Sequence, residues 1–472
     1  MSRSAPVGPA ASASDDIPAT PRAAASASAG ARIDRLPRTG LALGGYLALG
    51  ICYFFAFYDI NVVGTVLPTV IDRLRLSESQ ISLPITANLI AYMVGAFALG
   101  TTADRIGRRR ALAICVSLLA VASLATGLSW DLASLTVFRT LTGLAMGAQI
   151  ALLGTFITEL APAARRGKLL AVSIIWAAAG QAASPILGTW LLPATGQGWR
   201  ILFALAAASA LALPLLNDRR LPESPRWLEL RGQRERADAI VSAMEQRLTD
   251  RHVDLPAPDP DGGEQASDAP FPVVDLFRRP FRSRLLVVFG FWFCLYFSVY
   301  AFNVYEENLL AKLNVGHTSA VTLAGIASIG GIIAALVQPA LIERLQRRTL
   351  IAASLALIVI GLAALAVAPD ETFVVVGAFL VSAGIFATII PAYSYTAEVF
   401  PTRARGSAMG IGDGIGHLGG ALQPYLVVPL LAADGPRSVF WALAGVLLVG
   451  AVFIAFGVRS TGKTLAELGA ES

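Results

Sequence analysis

Long apolar stretches separated by short polar loops run through most of the chain. Twelve of them are long enough to cross a bilayer, since a helix needs about 20 apolar residues to span the hydrocarbon. They lie at residues 41–70, 81–102, 111–130, 132–160, 167–192, 199–216, 284–310, 318–342, 349–368, 371–399, 406–432 and 437–458. The pattern predicts an all-α membrane protein with twelve transmembrane helices.

Polar segments divide these spans into two sets of six. The first set occupies residues 41–216 and the second residues 284–458, with a polar linker over residues 217–283. The linker combines an expected amphipathic helix at 224–247 with a flexible Pro/Asp/Gly-rich run. Residues 1–40 are rich in Ala, Ser and Pro and are expected to form a disordered cytoplasmic tail. Residues 459–472 form a second cytoplasmic tail.

Short motifs recur in the two sets of spans at one constant spacing. The spacing is 239 residues between Asp104 and Glu343, Glu159 and Glu398, Pro162 and Pro401, Arg166 and Arg405, Gly167 and Gly406, and Pro185 and Pro424. A repeat of this kind predicts two duplicated six-helix halves, which a transporter moves against each other around a site at the membrane midplane. The second copy differs in places, with Gln346 where the first has Gly107.

Composition supports a membrane protein and charge predicts its orientation. The chain is 55% hydrophobic and 15% charged, with mean hydropathy +0.64. Its net charge of +5 does not indicate nucleic-acid binding, because the basic residues lie at span ends. With both termini in the cytoplasm, 31 Lys and Arg residues fall inside, five outside, and Arg139 within a span. We expect a multi-pass protein of the cell (inner) membrane.

The loop between the second and third spans carries a recognisable motif. Its sequence GTTADRIGRRR fits G-x-x-x-D-R-x-G-R-R and resembles the loop signature of the major facilitator superfamily of secondary transporters. The resemblance implies the major facilitator fold, with this loop and its repeat acting as a cytoplasmic latch. The latch and gating residues would be Gly100, Asp104, Arg105, Gly107, Arg108, Glu159, Arg166, Glu343, Arg344, Glu398 and Arg405. The alternative is that these are ordinary surface ion pairs.

A second motif narrows the resemblance. The run LPESPRWL at Leu221–Leu228 looks like the signature of sugar porters and related metabolite porters. Together with TELAPAARRG and TAEVFPTRARG, it extends the resemblance over essentially all of the chain after the tail.

Charged residues inside the spans are the candidates for coupling chemistry. Asp59 lies in the middle of the first span and Arg139 about two turns into the fourth. A charge at a helix centre costs about 2.5–3.5 kcal/mol, so each one needs a partner or a function. In sugar porters such a pair couples transport to protons, and both positions match here. The alternative is a static ion pair that fixes helix packing.

Other ionisable residues occur in the second half. Asp413 and His417 share one face of the eleventh span and are candidates for proton or substrate contact, against the alternative that the histidine only packs. Glu306 and Glu307 lie near the outer end of the seventh span and are expected to be solvated or to belong to a gate.

Polar and aromatic residues within the spans are expected to line a substrate cavity. The candidates are Asn61, Gln149, Trp176, Gln181, Tyr296, Asn303, Tyr393 and Gln423. Gln181 matches a sugar-contact position of sugar porters, but the seventh span lacks their paired glutamines and is rich in aromatics. We therefore expect proton symport of a small carboxylate such as an aromatic or nicotinate-like acid. The alternatives are a sugar–proton symporter and a proton-driven efflux antiporter; the run GQAASPILG lacks the antiporter motif.

Enzymatic function is not indicated. The sequence has no Ser/His/Asp catalytic set, no metal-ligand cluster and no phosphate loop of the GxxxxGK[ST] form. We predict no catalytic residues, no metal and no cofactor. The expected partners are a small-molecule substrate, protons and the lipid bilayer, with the chain acting as a monomer.

Overall fold

The structure is a computed structural model of the chain. It describes residues 27–162, 165–257, 273–278, 281–313, 318–342, 344–400 and 402–458, with the backbone alone at 99–100, 273, 275, 402–407 and 415. The loops containing the Asp104 and Arg344 positions define what we call the inner side of the membrane, following the predicted topology.

Twelve described helices are long and apolar enough to cross a membrane, which confirms the predicted fold class. They are α1 (Leu43–Arg73), α2 (Ser82–Ile106), α3 (Arg108–Gly127), α4 (Leu132–Leu160), α5 (Arg166–Ala194), α6 (Gly198–Leu205 followed by the 3-10 helix Ala206–Leu215), α7 (Phe281–Leu313), α8 (Ala320–Ile342), α9 (Arg347–Val367), α10 (Glu371–Glu398), α11 (Thr402–Leu422 and, after a break at Gln423, Pro424–Asp434) and α12 (Pro436–Ala455).

Local sequence explains several of these boundaries. Asp131 caps α4 in a capping box with Ser134, and Asp370 caps α10 by accepting from the backbone N–H of Phe373. The break in α11 falls before Pro424, whose ring cannot supply a backbone N–H. These caps satisfy backbone groups at helix ends that would otherwise have no partner.

The two halves meet through three pairs of helices, α1 with α7, α2 with α11 and α5 with α8. Polar contacts join the halves at the outer ends of these pairs. Thr86 donates to the carbonyl of Ala421 at 2.9 Å, and Lys312 pairs with Glu78 at 2.5 Å. The outer side of the interface is therefore closed in this structure.

The inner face of the first half carries extra structure. Residues 29–34, which were expected to belong to a disordered tail, instead form a short helix, the tail helix Ala29–Asp34. Arg32 forms ion pairs with Asp238 and Glu245 in the linker. Because these partners lie far away in the chain, the composition of the tail alone does not reveal them. Residues 1–26 of the predicted N-terminal tail and the C-terminal tail 459–472 lie outside the described residues.

The stretch 224–247 of the linker, predicted as one amphipathic helix, forms two helices. Pro225–Leu230 and Arg234–Thr249 are separated at Gly232, which has a φ of +74°. This left-handed backbone conformation ends the first helix, and glycine adopts it without the usual steric cost.

Candidate functional site

A buried ion pair lies inside the first half. The Nη1 of Arg139 on α4 donates to Asp59 Oδ2 on α1 at 2.8 Å, and the Asp59 side chain has no solvent exposure. Ser123 on α3 donates to Asp59 Oδ1 at 3.0 Å. The guanidinium lies 5.9 Å from the ring centre of Phe203 on α6. Both carboxylate oxygens are thus held by donors from the same half.

Close packing of α2 against α4 positions Arg139. A Cβ at Gly143 or Gly147 would overlap backbone carbonyls of α2, so only glycine permits this approach. Across this contact the Asn88 side-chain amide donates to the Arg139 carbonyl at 2.6 Å and to Thr142 at 3.1 Å. The α4 backbone that carries Arg139 is therefore held against α2 both by close packing and by hydrogen bonds.

A second acid lies in the other half and has a different environment. Asp413 on α11 accepts hydrogen bonds at Oδ1 from Tyr393 at 2.6 Å and from Tyr296 at 3.2 Å. The ring of Trp292 packs 4.8 Å from Tyr393 and 5.0 Å from Tyr296, centre to centre. About a fifth of the Asp413 side chain is exposed. Hydroxyl groups hold Oδ1 of this carboxylate, and the Nδ1 of His417 lies 3.5 Å from its Oδ2.

His417 connects this cluster to the first half. Its Nδ1 lies 2.8 Å from the Asp413 carbonyl and its Nε2 lies 3.0 Å from the Tyr300 hydroxyl. Tyr92 of α2 stacks on the imidazole with ring centres 3.9 Å apart and planes 14° apart. We call Asp413, His417, Trp292 and the tyrosines at 92, 296, 300 and 393 the aromatic cluster.

A small cavity joins the two sites. It has a volume of about 30 Å³ and is lined by Arg139, Asn88, Tyr92 and Tyr300 together with apolar side chains. This volume accommodates one water molecule, and Arg139 and Asn88 supply polar partners. The ion pair of the first half therefore lies next to the aromatic cluster.

A row of amides and hydroxyls crosses the interface nearer the outer side. Asn61 donates to the Gln181 carbonyl at 3.2 Å, and the Gln181 amide reaches Asn303 Oδ1 on α7 at 3.4 Å. One turn farther along α1, the Thr65 hydroxyl contacts Ser184 at 2.8 Å and donates to Glu307 Oε1 at 3.1 Å. Three of the predicted cavity residues thus meet between the halves.

The expectation that Glu306 and Glu307 are solvated is wrong. Glu306 is 8% and Glu307 1% exposed, because α1 packs against this part of α7. Gly64 permits the approach, since a Cβ there would overlap the Asn303 carbonyl oxygen.

Three other predicted cavity residues are placed elsewhere. Gln149 is buried and donates to the Cys52 carbonyl at 2.9 Å, within the first half. The Trp176 ring packs against Gly50 beside a cavity of about 40 Å³ between α1, α4 and α5. Gln423 is fully buried at the break in α11, and its amide atoms have no hydrogen-bond partner among the described residues.

The first copy of the loop motif forms a network at the inner face. Arg108 pairs with Asp104 at 2.8 Å and with Glu159 at 3.1 Å. Glu223, from the linker motif, accepts from the backbone N–H groups of Arg108 and Arg109, which caps α3. These contacts brace α2, α3, α4 and the linker.

The remaining latch residues fall into three groups. In the second copy, Arg347 donates to Glu398 at 3.1 Å, which repeats the Arg108–Glu159 contact. Arg166 pairs with Asp34, the last residue of the tail helix. The carbonyl of Arg105 accepts a hydrogen bond from Arg231, and Arg344 lies in the turn after α8. Glu343, the side chain of Arg405 and the surroundings of Gly100 lie outside the described part of the chain.

Some contacts in both sites were not predicted from the sequence. Ser123 was overlooked because a serine in an apolar span often bonds its own helix backbone. Trp292 and Tyr92 were not assigned to a site, although a Trp or Tyr within a span is a signal that a hydrogen-bond partner is needed.

Comparison with known proteins agrees with the fold. The chain matches the Major Facilitator Superfamily model over residues 49–424 and 308–471. It is 26% identical to the niacin transporter NiaP of Acinetobacter baylyi over 93% of this chain and 99% of that protein. It is also 26% identical to the 4-hydroxybenzoate transporter PcaK of the same organism, over 86% and 89%.

The fold is also similar to that of a solved transporter. The inward-open xylose transporter XylE of Escherichia coli superposes with a TM-score of 0.70 at 20% identity, covering 90% of this chain and 98% of that one. The family model spans more than half of the sequence, and the twelve helices agree with it. This chain is a multi-pass membrane transporter, not an enzyme, and belongs to the Major Facilitator Superfamily.

Proposed function

We propose that the protein is a proton-coupled symporter that imports a small aromatic carboxylate, such as a nicotinate-like or hydroxybenzoate-like acid, by alternating access. The observation that carries this proposal is the buried Asp59–Arg139 pair beside the aromatic cluster. The niacin and 4-hydroxybenzoate transporters among the relatives support the substrate class.

The coupling follows from charge balance. While Asp59 is ionised, its negative charge neutralises Arg139 inside the first half. Protonation of Asp59 leaves the guanidinium with an uncompensated positive charge in a site shielded from water. A substrate carboxylate near the cavity then compensates that charge. Proton and anion therefore favour each other's binding, and the loaded site carries no additional net charge.

The aromatic cluster supplies the rest of the binding site. Trp292, Tyr296 and Tyr393 present ring faces and edges around Asp413, so a planar ring can stack among them. The hydroxyls of Tyr296 and Tyr393 already bond Asp413 and are positioned to bond a polar ring substituent.

A sugar–proton symporter is the second candidate. The row formed by Asn61, Gln181 and Asn303 offers amide donors and acceptors of the type that neutral hydroxyl groups need. The solved structure with the similar fold is a xylose transporter. We further propose that the chain lies in the inner membrane with both termini in the cytoplasm, as the distribution of Lys and Arg indicates.

The test is uptake by proteoliposomes under an imposed pH gradient. The labelled panel holds nicotinate, 4-hydroxybenzoate, glucose and xylose, and the variants are Asp59→Asn and, as a matched control, Asp72→Asn at the exposed outer end of α1. An aromatic acid should accumulate up to about tenfold per coupled proton for each unit of inward pH gradient.

Asp59→Asn should retain counterflow exchange and lose accumulation, while the control behaves like the wild type. Accumulation that persists in Asp59→Asn contradicts the coupling role. Accumulation of glucose or xylose in place of the acids selects the second candidate.

A further inference from the structure

Two neighbouring carboxyl groups of α7 are buried at the interface on the outer side. Glu307 is 1% exposed and Glu306 8% exposed. Glu307 Oε1 accepts from the Thr65 hydroxyl, and Oε2 has no hydrogen-bond partner among the described residues. Oε2 also lies 3.0 Å from the Cβ position of Gly64, so α1 closes directly over this carboxyl group.

No described cation compensates these two groups. Other ionisable side chains lie along α7 and on the outer parts of the elements that pack against it. They are Asp59, Asp72 and Arg73 on α1, Arg75 and Glu78 in the following loop, Tyr92 on α2, Tyr296, Tyr300, Tyr305 and Lys312 on α7, Glu371 and Tyr393 on α10, Asp413, His417, Tyr425 and Asp434 on α11, and Arg437 on α12. Within the described part of the chain, none of the cations forms an ion pair with Glu306 or Glu307.

The cations nearest along the chain are engaged elsewhere. Lys312, five residues beyond Glu307, pairs with Glu78 in the loop after α1. Arg139 is bound to Asp59, and Arg437 donates to the carbonyl of Ala368 at 3.1 Å. Among the described residues, the closed interface thus contains two adjacent acids without a compensating positive charge.

Two ionised carboxylates are costly in such a place. Each loses its hydration on burial, and two like charges on neighbouring residues of α7 repel each other more strongly there than in water. A carboxylic acid avoids both costs when it binds a proton. When α1 and α7 separate on the outer side, water reaches the groups and favours the charged form.

We infer that Glu307, together with Glu306, forms a second proton-binding site whose occupation closes the outer side of the transporter. Protons that bind from outside stabilise the arrangement seen here, in which α1 covers Glu307. Loss of the proton opens the outer side. The inference rests on the proposed alternating-access function, and it assigns the pH dependence of outer closure to α7, separately from Asp59.

Distance measurements across the outer interface test this site. Spin labels are placed at Ser79→Cys in the α1–α2 loop and at Ala433→Cys near the end of α11, both exposed, while the native cysteines are buried. The full-length protein in lipid nanodiscs is measured by double electron–electron resonance between pH 5 and pH 8, without substrate. One proton shifts the ratio of closed to open protein by up to tenfold per pH unit.

The closed population of the wild type should grow as the pH falls. Glu307→Gln, which mimics the protonated acid, should be closed over the whole range, and Glu306→Gln should keep a response carried by Glu307. The matched control is Asp131→Asn, an exposed outer acid at the start of α4 whose replacement still caps the helix. It should respond like the wild type.

Three results would overturn the inference. They are a wild-type distance that does not depend on pH, a wild-type response that persists in the Glu306→Gln/Glu307→Gln double variant, and a response to Na⁺ at constant pH, which would indicate a metal-cation site.

Asp59→Asn separates the two proposals in the same assay. If Asp59→Asn abolishes the response and Glu307→Gln does not, coupling through Asp59 stands and the α7 site fails. If closure depends on Glu307 while no proton-driven uptake occurs, the α7 site stands and the proposed symport fails.

Discussion

Each half of the chain holds an acid within its membrane-spanning helices, Asp59 in the first and Asp413 in the second, but the partners of the two acids differ in kind. In the first half, Asp59 is fully buried and bound by Arg139 and Ser123. In the second half, Asp413 is partly exposed and bound by the hydroxyls of Tyr296 and Tyr393. When an acid paired with a cation gains a proton, the positive charge of that cation is no longer compensated. When an acid is held by hydroxyls, those hydroxyls can also form hydrogen bonds with a ligand.

The same difference appears at the inner ends of the halves. In the first copy of the loop motif, Gly107 and the linker residue Glu223 complete the network around Arg108. In the second copy, the Arg347–Glu398 pair is kept, and Gln346 occupies the position of the glycine. The arginine–glutamate contact is therefore present in both copies of the motif, while the features around it differ.

Removal of the cation should give the largest effect. Arg139→Gln leaves the Asp59 charge buried without compensation, which costs about 3–5 kcal/mol for a buried pair broken on one side. We expect a large drop in the thermal unfolding temperature in detergent and loss of proton-driven accumulation. The double variant Asp59→Asn/Arg139→Gln should recover most of the stability but not the coupling. A single variant as stable as the wild type would show that the pair does not depend on charge compensation.

The two loop copies should respond differently to alanine. Gly107 has a φ of +100°, and a Cβ there would overlap Glu223 Oε2 and lie 3.3 Å from the Trp227 ring. Gly107→Ala should therefore destabilise the inner end of the first half by about 1–3 kcal/mol, the range for a strained backbone position. Gln346→Ala is the matched control, because its φ of −59° suits any residue. Its effect should be within about 0.5 kcal/mol, and equal losses in thermal unfolding would contradict the difference between the copies.

Hydropathy and spacing predicted the twelve helices and the duplication because both depend on composition along one chain. The pairing of Asp59 with Arg139 was implied by matching positions of a related family, and the structure places their charged atoms in contact. The family resemblance placed Arg108 and Glu159 together among the latch residues, and in the structure they form an ion pair.

Contacts that depend on helix rotation could not be read from the sequence. Asp413 gains its tyrosine partners because α7, α10 and α11 turn particular faces toward each other. Glu307 lies near a span end, where hydropathy favours solvation, yet Gly64 lets α1 cover it. The tail helix depends on Glu245, more than 200 residues away in the chain. Each of these features requires the relative placement of segments that sequence periodicity treats separately.

Replacement of the second acid should affect binding more than coupling. Asp413→Asn keeps one oxygen acceptor for the hydroxyls of Tyr296 and Tyr393, but a neutral amide oxygen accepts weaker hydrogen bonds than a carboxylate and holds these rings less firmly. We therefore expect about fivefold weaker substrate binding, which corresponds to about 1 kcal/mol. The accumulation ratio at saturating substrate should change little. Tyr393→Phe is the control that removes the 2.6 Å hydrogen bond and keeps the acid. Normal binding with lost accumulation in Asp413→Asn would move the coupling proton from Asp59 to Asp413.

The smallest effect should come from acidification at the inner face of the first half. Burial opposes ionisation of Glu245, but hydrogen bonds from Arg32 and Arg35 outweigh it and lower the pKa of this carboxyl. A lowered folded-state pKa means that the stabilisation is complete above the ordinary glutamate value of about 4.3 and is lost as the pH falls below it. Solvent screens these ion pairs, so we expect only about 0.2–1 kcal/mol. Hydrogen exchange in residues 29–34 should be slow at pH 7 after correction for the intrinsic rate, and faster at pH 4. Glu245→Gln should show the fast exchange at both pH values, and protection unchanged at pH 4 in the wild type would mean that Arg32 and Arg35 hold the tail helix without the Glu245 charge.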